Sequence, residues 1–100
     1  MIPGAKNDDG KLDISAVPPE IITAVAEIRR YGNQKYADPD NWRRVEPAKF
    51  HKAMLRHCLA LWEDPFAIDP ESNMPHLWHL CCNAAFLCHF YENKEEKSDV

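Results

Sequence analysis

The sequence predicts an all-α fold, a small bundle of three main helices with an extended N-terminal arm, assembled as a homo-oligomer. Three segments repeat apolar residues at spacings of three and four, which is the period of an α-helix. Proline-containing segments separate them, and the last of the three is apolar nearly all round. At 100 residues the chain fits one domain.

The first helix follows the N-terminal arm. Residues 1–16 are polar with glycine turn signals, so we expect an extended or mobile arm. Residues 17–20 (VPPE) then start a helix, because proline is tolerated in a first turn and glutamate complements the helix dipole. Gly32 is expected to end this helix. Its apolar stripe is Ile21, Val25 and Ile28.

The second helix is expected to begin at Pro47, after a loop over residues 33–46 that contains Pro, Asp and Asn. Residues 64–73 contain two prolines and cannot form a regular helix. The apolar stripe of the second helix is Phe50, Met54, Cys58 and Leu61.

The third helix is expected to begin with Asn73 as N-cap and Pro75 near N1, and to run to about Tyr91. Residues 93–100 are expected to form a solvated tail. Two other helices cannot surround a helix that is apolar on nearly every face, so we expect self-association as a dimer or tetramer. Its apolar residues are Leu77, Trp78, Leu80, Cys81, Ala84, Ala85, Phe86, Leu87 and Phe90.

Positive charge is concentrated in the middle of the chain. The net charge is −4, yet residues 29–56 hold eight of the twelve Lys and Arg against three acids, a local charge of +5. An acidic chain is a poor binder of duplex DNA, because non-specific affinity scales with the phosphates neutralised. The basic centre suits a small phosphorylated ligand, or is a solvated helix face. Its cations are Arg29, Arg30, Lys35, Arg43, Arg44, Lys49, Lys52 and Arg56.

Composition also predicts the compartment. No apolar run approaches the roughly 18–20 residues of a membrane span, and the N-terminal residues are no signal peptide. We therefore expect a cytoplasmic protein. The cysteines at positions 58, 81, 82 and 88 lack CxxC spacing and are interpreted as reduced core thiols.

Several polar residues occur where an ordinary core would need none. His76, His79 and Asn83 share one face near the start of the third helix, where the helix dipole favours an anion. Arg56 and His57 lie on the second helix. These residues could bind phosphates and base edges, or hold a divalent metal together with nearby carboxylates. They could equally form a buried network that fixes helix packing.

A second set of candidate residues lies in and beside the first loop. Two tyrosines, a lysine and a tryptophan around a glycine turn would stack on a base and contact phosphate. Equally, the aromatic rings could cover the end of a small core. The set is Tyr31, Lys35, Tyr36, Asn41, Trp42 and Arg43.

Five patterns together resemble one phage-borne family, the N-terminal domain of dATP/dGTP diphosphohydrolases. The resemblance covers about residues 10–91 and implies removal of pyrophosphate from purine deoxynucleotides with a divalent metal. MazG-like pyrophosphohydrolases hold Mg²⁺ with EExxE and ExxD motifs, which this sequence lacks. The five patterns are YGxxKY at 31–36, NW at 41–42, RH at 56–57, DxE at 69–71 and HxxHxxxN at 76–83.

Our leading hypothesis is a phage protein that sequesters a purine-containing immune signal, a cyclic dinucleotide or ADP-ribose derivative, without hydrolysis and without a cofactor. It rests on analogy with the phage sponges that counter CBASS and Thoeris defence. Residues 17–92 would then form a single nucleotide-binding domain. The expected ligand-binding residues are Tyr31, Lys35, Tyr36, Asn41, Trp42, Arg43, Arg56, His57, His76, His79 and Asn83.

The alternative hypothesis is a Mg²⁺- or Mn²⁺-dependent purine dNTP diphosphohydrolase. A third class is an interaction module whose basic face binds an acidic partner protein. None of the three involves duplex nucleic acid or a membrane. In the enzyme, the metal ligands would be Asp64, Asp69, Glu71, His76 and His79.

Overall fold

A computed structural model describes residues 10–94 and shows three α-helices with a small sheet. The central helix is α3, and both α1 and α2 pack on it while hardly touching each other. The predicted bundle of three main helices is confirmed, and the homo-oligomer stays a prediction. The elements are α1 (Glu20–Lys35), α2 (Pro47–Glu63), β1 (Ile68–Asp69), β2 (Met74–Pro75) and α3 (His76–Glu92).

Helix α1 extends three residues beyond its predicted end. Gly32 does not adopt the left-handed conformation that would stop a helix, and Gly10 is the one glycine with positive φ in the described part of the chain. Instead the carbonyl of Gly32 accepts a hydrogen bond from the Tyr36 N–H at 2.9 Å, and Tyr36 turns to extended backbone. The extra residues place Lys35 in the last turn of the helix.

Helix α2 begins at Pro47, as predicted. Proline suits this position because a first-turn residue needs no N–H and its fixed φ is already helical. The helix ends at Glu63, two residues before Pro65, which agrees with the expected break.

Residues 64–73, expected not to form a regular helix, contain β1, which pairs with β2 directly after them in an antiparallel sheet with Ile68 opposite Pro75 and Asp69 opposite Met74. Asn73 is not the N-cap of α3, a position that Pro75 occupies. Asn73 instead lies in the hairpin turn with a φ of 59°, and its N–H donates to the Asp69 carbonyl at 2.7 Å. Strands of two residues are too short for sequence periodicity, and asparagine tolerates positive φ better than most side chains.

Aromatic rings join the loop, α2 and α3 at one end of the core. Trp42 stacks on Phe86 with centroids 4.5 Å apart, and Phe50 lies 4.7 Å from Phe86 and 6.1 Å from Phe90. The fully buried apolar residues of the described region are Ala24, Ile28, Cys82 and Phe90.

The prediction of core thiols holds for Cys82 but is wrong for Cys58 and Cys88, which are exposed. Cys81 is partly buried, and all four cysteines are free. Cys88 is exposed because helices pack on only part of the circumference of α3, and Cys58 occupies an exposed position of α2.

The predicted arm and tail lie largely outside the described residues. Within residues 10–16 the chain is exposed and forms one 3₁₀ turn at Ile14–Ala16. No helix in residues 10–94 combines the length and the apolar character that crossing a bilayer requires.

Candidate functional site

A polar cleft of about 580 Å³ lies between α1 and α2, with α3 as its floor. The hairpin closes one end, and the loop between α1 and α2 closes the other. The cleft exists because α1 and α2 each pack on α3 and leave a gap between themselves. Its volume is within the range of small-molecule sites, about 300–1,000 Å³.

The structure brings every sequence-predicted ligand residue except Arg43 to this one cleft. Arg43 stays in the loop, where its Nε lies 3.2 Å from the Asp40 carboxylate and its guanidinium lies over the Trp42 ring. Whether the lining residues bind a ligand remains a prediction. Those that line the cleft are Tyr31, Lys35, Tyr36, Asn41, Trp42, Arg56, His57, His76, His79 and Asn83.

The loop that carries Asn41 and Trp42 is held by Asp38. One Asp38 oxygen accepts the Asp40 N–H at 2.8 Å, and the other accepts from Arg44 at 2.5 Å. The hydrogen bond from Arg44 holds the pKa of Asp38 below its usual value. The loop therefore has its own internal scaffold, which presents Asn41 and Trp42 to the cleft.

Trp42 is not available to stack on a base, because its ring already stacks on Phe86 and carries the Arg43 guanidinium 4.5 Å from its centroid. The interpretation of Trp42 as cover for a small core fits this packing. Tyr36 is half-exposed, whereas Tyr31 meets His79 edge-to-face with centroids 6.3 Å apart. Tyr36 thus offers the more open aromatic surface.

Four cations line the cleft between the helices, and one of them, Arg29, donates to the Pro39 carbonyl at 2.5 Å and lies over the Phe86 ring. Lys35 pairs with Glu71 at 3.1 Å across the opening between α1 and the hairpin. That hydrogen bond raises the pKa of Lys35. In the described part of the chain, Lys49 and Arg56 have no ion-pair partner. These two positive charges are therefore free to neutralise an anion.

Lys49 was not among the sequence-predicted site residues. A signal for it existed, since Lys49, Ala53 and Arg56 recur at helical spacing and all three line the cleft. From the sequence, Lys49 was only one of the eight cations in residues 29–56. Its neighbour Lys52 belongs to the same segment, is exposed and does not line the cleft.

At the hairpin end, histidines from α2 and α3 meet the carboxylate of Asp69. Nδ1 of His57 lies 2.8 Å from Nδ1 of His76, and the His57 ring stacks on His79 at 4.7 Å. Nε2 of His79 faces Oδ2 of Asp69 at 3.3 Å and Oγ of Ser72 at 2.6 Å. Three potential ligand atoms lie within 4.8 Å of one another, one each from His57, Asp69 and His76.

Burial keeps this cluster close to neutral. Desolvation is the largest cause that lowers the pKa of His57, and the neighbouring His79 and His76 lower it further. Desolvation also lowers the pKa of His79, although Asp69 opposes the change. His57 and His79 are therefore mostly neutral at pH 7, and the neutral imidazole is the form that binds metals.

The structure brings together only part of the metal set expected for an enzyme. Asp69, His76 and His79 lie in the cluster, and His57 joins them. Asp64 lies apart, where its carboxylate accepts the Phe66 N–H at 2.9 Å. Glu71 lines the cleft but is paired with Lys35.

Asn83 lies on the cleft floor with one hydrogen-bonding group uncommitted. Its amide NH₂ donates to the His79 carbonyl at 2.9 Å. Among the described residues no partner contacts its side-chain oxygen. That oxygen can accept from an amino group.

The described residues form a small helical domain with a cleft lined by cations, imidazoles and aromatic rings. The chain belongs to the family described as "dATP/dGTP diphosphohydrolase, N-terminal", whose model matches residues 1–100. The family resemblance of the sequence motifs is therefore confirmed.

A relative named dATP/dGTP diphosphohydrolase, from Salmonella phage PMBT28, is 29% identical over 96 residues. The match covers 96% of this chain and 32% of that protein, so the chain spans about a third of the relative's length. No solved structure matches the chain significantly. These comparisons favour the diphosphohydrolase alternative and lend no support to sequestration of an immune signal.

Proposed function

We propose that this domain binds a purine deoxynucleoside triphosphate in the cleft between α1 and α2, as part of a dATP/dGTP diphosphohydrolase. The observation that carries the proposal is the convergence of two unpaired cations, an open tyrosine ring and a free amide oxygen in one cavity of suitable volume. Family membership supplies the class of nucleotide.

The phosphate end of the nucleotide is assigned to Lys49 and Arg56. Both lie on α2, neither has an ion-pair partner in the described chain, and arginine binds phosphate oxygens in pairs. Lys35 at the opening is a further phosphate contact once it exchanges Glu71 for the ligand. Three cations of the basic segment at residues 29–56 would then bind the phosphates of the nucleotide.

The purine is assigned to Tyr36 and Asn83, which both line the cleft. Tyr36 stacks on the base, and the Asn83 oxygen accepts from an exocyclic amino group, which both adenine and guanine carry. A pyrimidine has a smaller ring face for the same tyrosine. We therefore expect purine nucleotides to bind more tightly than pyrimidine nucleotides.

The reaction proposed for this cleft is hydrolysis of the nucleotide. Water adds to the α-phosphorus, the bond to the bridging oxygen of the β-phosphate breaks, and a monophosphate and pyrophosphate leave. His79 lines the same cleft and is assigned to accept the proton of the attacking water.

The first test is a calorimetric titration of dGTP and dCTP into the purified chain in EDTA, with Arg56→Ala and the matched control Lys52→Ala. We expect dGTP to bind more tightly than dCTP. Arg56→Ala should weaken dGTP binding about tenfold or more, since a hydrogen bond to a charged group contributes about 1.5–3 kcal/mol. Lys52→Ala should bind like the wild type. Equal loss in both variants, or no binding of dGTP, would refute the site.

A second test separates hydrolysis from sequestration. The chain is incubated with dGTP and Mn²⁺, denatured, and the nucleotide is analysed by mass spectrometry. Recovery of dGMP and pyrophosphate supports the diphosphohydrolase. Recovery of intact dGTP from a tight complex would overturn the hydrolytic part of the proposal and favour sequestration.

A further inference from the structure

We infer that His57, Asp69 and His76 form a binding site for a first-row transition-metal dication at the hairpin end of the cleft. This site deepens the proposed function, since it would lie next to the nucleotide phosphates. It differs from the carboxylate-rich site that the sequence suggested, because one ligand comes from α2 and Asp64 and Glu71 take no part.

The spacing of the donor atoms fits a single cation. Two ligands at about 2.1 Å from a metal are separated by roughly 3.0 Å at a right angle and roughly 4.2 Å when opposite. The two Nδ1 atoms of His57 and His76 are 2.8 Å apart, close to the right-angle value. All three donor atoms fall within 4.8 Å of one another, so a closure of at most about 0.6 Å brings the widest pair within the separation of two opposite ligands.

The two Nδ1 atoms face each other at hydrogen-bond distance, so one N–H joins the imidazoles when no ion is bound, and loss of that proton leaves two lone pairs directed at one place. Two neutral imidazoles that face each other through Nδ1 share at most one hydrogen, and protonation of both rings would place two positive charges 2.8 Å apart. A dication at this place is coordinated by both lone pairs at once.

Neighbouring residues hold the carboxylate in place, as the outer partners of metal ligands do. Oδ1 of Asp69 accepts the Glu71 N–H at 3.0 Å, and Oδ2 is next to His79 and Ser72. The side chains of Asp69 and His79 are only 14% and 12% exposed. The donor is therefore fixed and largely shielded from water, while the cleft leaves room for further ligands.

The donor types decide which metal is expected. Two imidazoles and one carboxylate suit Mn²⁺, Fe²⁺, Co²⁺, Ni²⁺ or Zn²⁺, whereas Mg²⁺ prefers oxygen ligands. When bound, such a cation would supply positive charge to the phosphates of a nucleotide held by Lys49 and Arg56. The three donor residues line the same cavity as Lys49 and Arg56.

The test is a titration of tag-free, reduced protein with Co²⁺ in the absence of nucleotide, followed by calorimetry and visible absorption. Co²⁺ gives absorption bands that report its coordination, and a near-ultraviolet thiolate band would reveal binding by a cysteine instead. We expect one Co²⁺ per chain, no thiolate band, and binding at least tenfold tighter than that of Mg²⁺.

Three variants locate the site. His57→Ala and Asp69→Asn should each weaken Co²⁺ binding at least tenfold, whereas His51→Ala, an exposed histidine of α2 outside the cleft, should bind like the wild type. Circular dichroism checks that each variant is folded. If His57→Ala proves unstable, Asp69→Asn still tests the site, because asparagine has nearly the same shape as aspartate. Equal binding of Mg²⁺ and Co²⁺, a thiolate band, or unchanged binding by both site variants would overturn the inference.

The outcome is distinguishable from that of the nucleotide test. Metal binding is measured without nucleotide, and dGTP binding is measured in EDTA. Failure to bind Co²⁺ would refute only the metal site, and failure to bind dGTP in EDTA would refute only the nucleotide site.

Discussion

Cys81 and Cys82 are adjacent in sequence but lie in different environments. Cys82 lines the polar cleft and is buried, whereas Cys81 lines an apolar groove on the other side of α3. Burial raises the pKa of the Cys82 thiol to about 11. A thiol with this pKa is almost entirely protonated at pH 8 and is a poor nucleophile.

We therefore predict that iodoacetamide at pH 8 modifies Cys58 in the folded protein well before Cys82, as peptide mass spectrometry would show. In urea the pKa of Cys82 returns to about 9 and its modification should accelerate. Between these two values the unfolded chain loses a proton that the folded chain retains, so the free energy of unfolding should fall as pH rises above 9. Modification of Cys82 as fast as Cys58 would contradict the burial.

The ion pair between Lys35 and Glu71 also acts at the scale of single residues. Both side chains are exposed, at 48% and 69%, so the pair contributes little to stability in salt. A ligand phosphate can therefore displace Glu71 from Lys35 at small cost.

At the scale of elements, the hairpin positions the carboxylate of the cluster. Asp69 lies in β1, and the turn that follows is closed by the hydrogen bond from Asn73 to the Asp69 carbonyl. A left-handed residue at position 73 is what allows this turn to lead directly into β2 and α3.

Asn73→Ala should lower the free energy of unfolding by about 1 kcal/mol, because most side chains resist positive φ. Asn73→Gly should leave it unchanged or raise it slightly, since glycine adopts this conformation freely. Urea denaturation of both variants measures the difference. Equal stability of the two would mean that the turn conformation is not set by this residue.

Helical periodicity was sufficient to predict α1, α2 and α3, and the start of α2 followed from Pro47 alone. Most polar residues chosen from the sequence do line the cleft, but Lys49 was missed and Arg43 lies outside it. The pairing of His57 with His76 and Asp69 could not be predicted, since it depends on how α2 crosses α3 and on a hairpin too short to detect. Trp42 likewise had two explanations that only packing could separate.

At the scale of the whole molecule, α3 separates two surfaces of opposite character. One side forms the floor of the polar cleft, and the other forms with α1 a groove whose lining is almost entirely apolar. Ile22 in this groove is 67% exposed. The small side chains of Ala26, Ala84 and Ala85 in this groove would allow the backbone of another helix to approach closely.

The prediction of self-association is therefore assigned to this groove, with a second copy of the chain as its occupant. Light scattering at micromolar concentration should give the mass of a dimer or tetramer, and Ala85→Glu should give a monomer. Leu59→Glu, an exposed apolar position of α2 outside the groove, is the matched control and should leave the mass unchanged. A monomeric wild type would contradict self-association, and loss of assembly only in the Leu59 variant would move the interface to α2.

The central position of α3 also constrains how this domain can change in evolution. A helix is roughly 10 Å across, so the same 17 residues supply the cleft floor with histidines and the groove with small apolar side chains. Few positions on such a helix are neutral for both surfaces. Helix α2 has a solvent-facing side that belongs to neither surface, so divergence among relatives should accumulate there before it reaches α3.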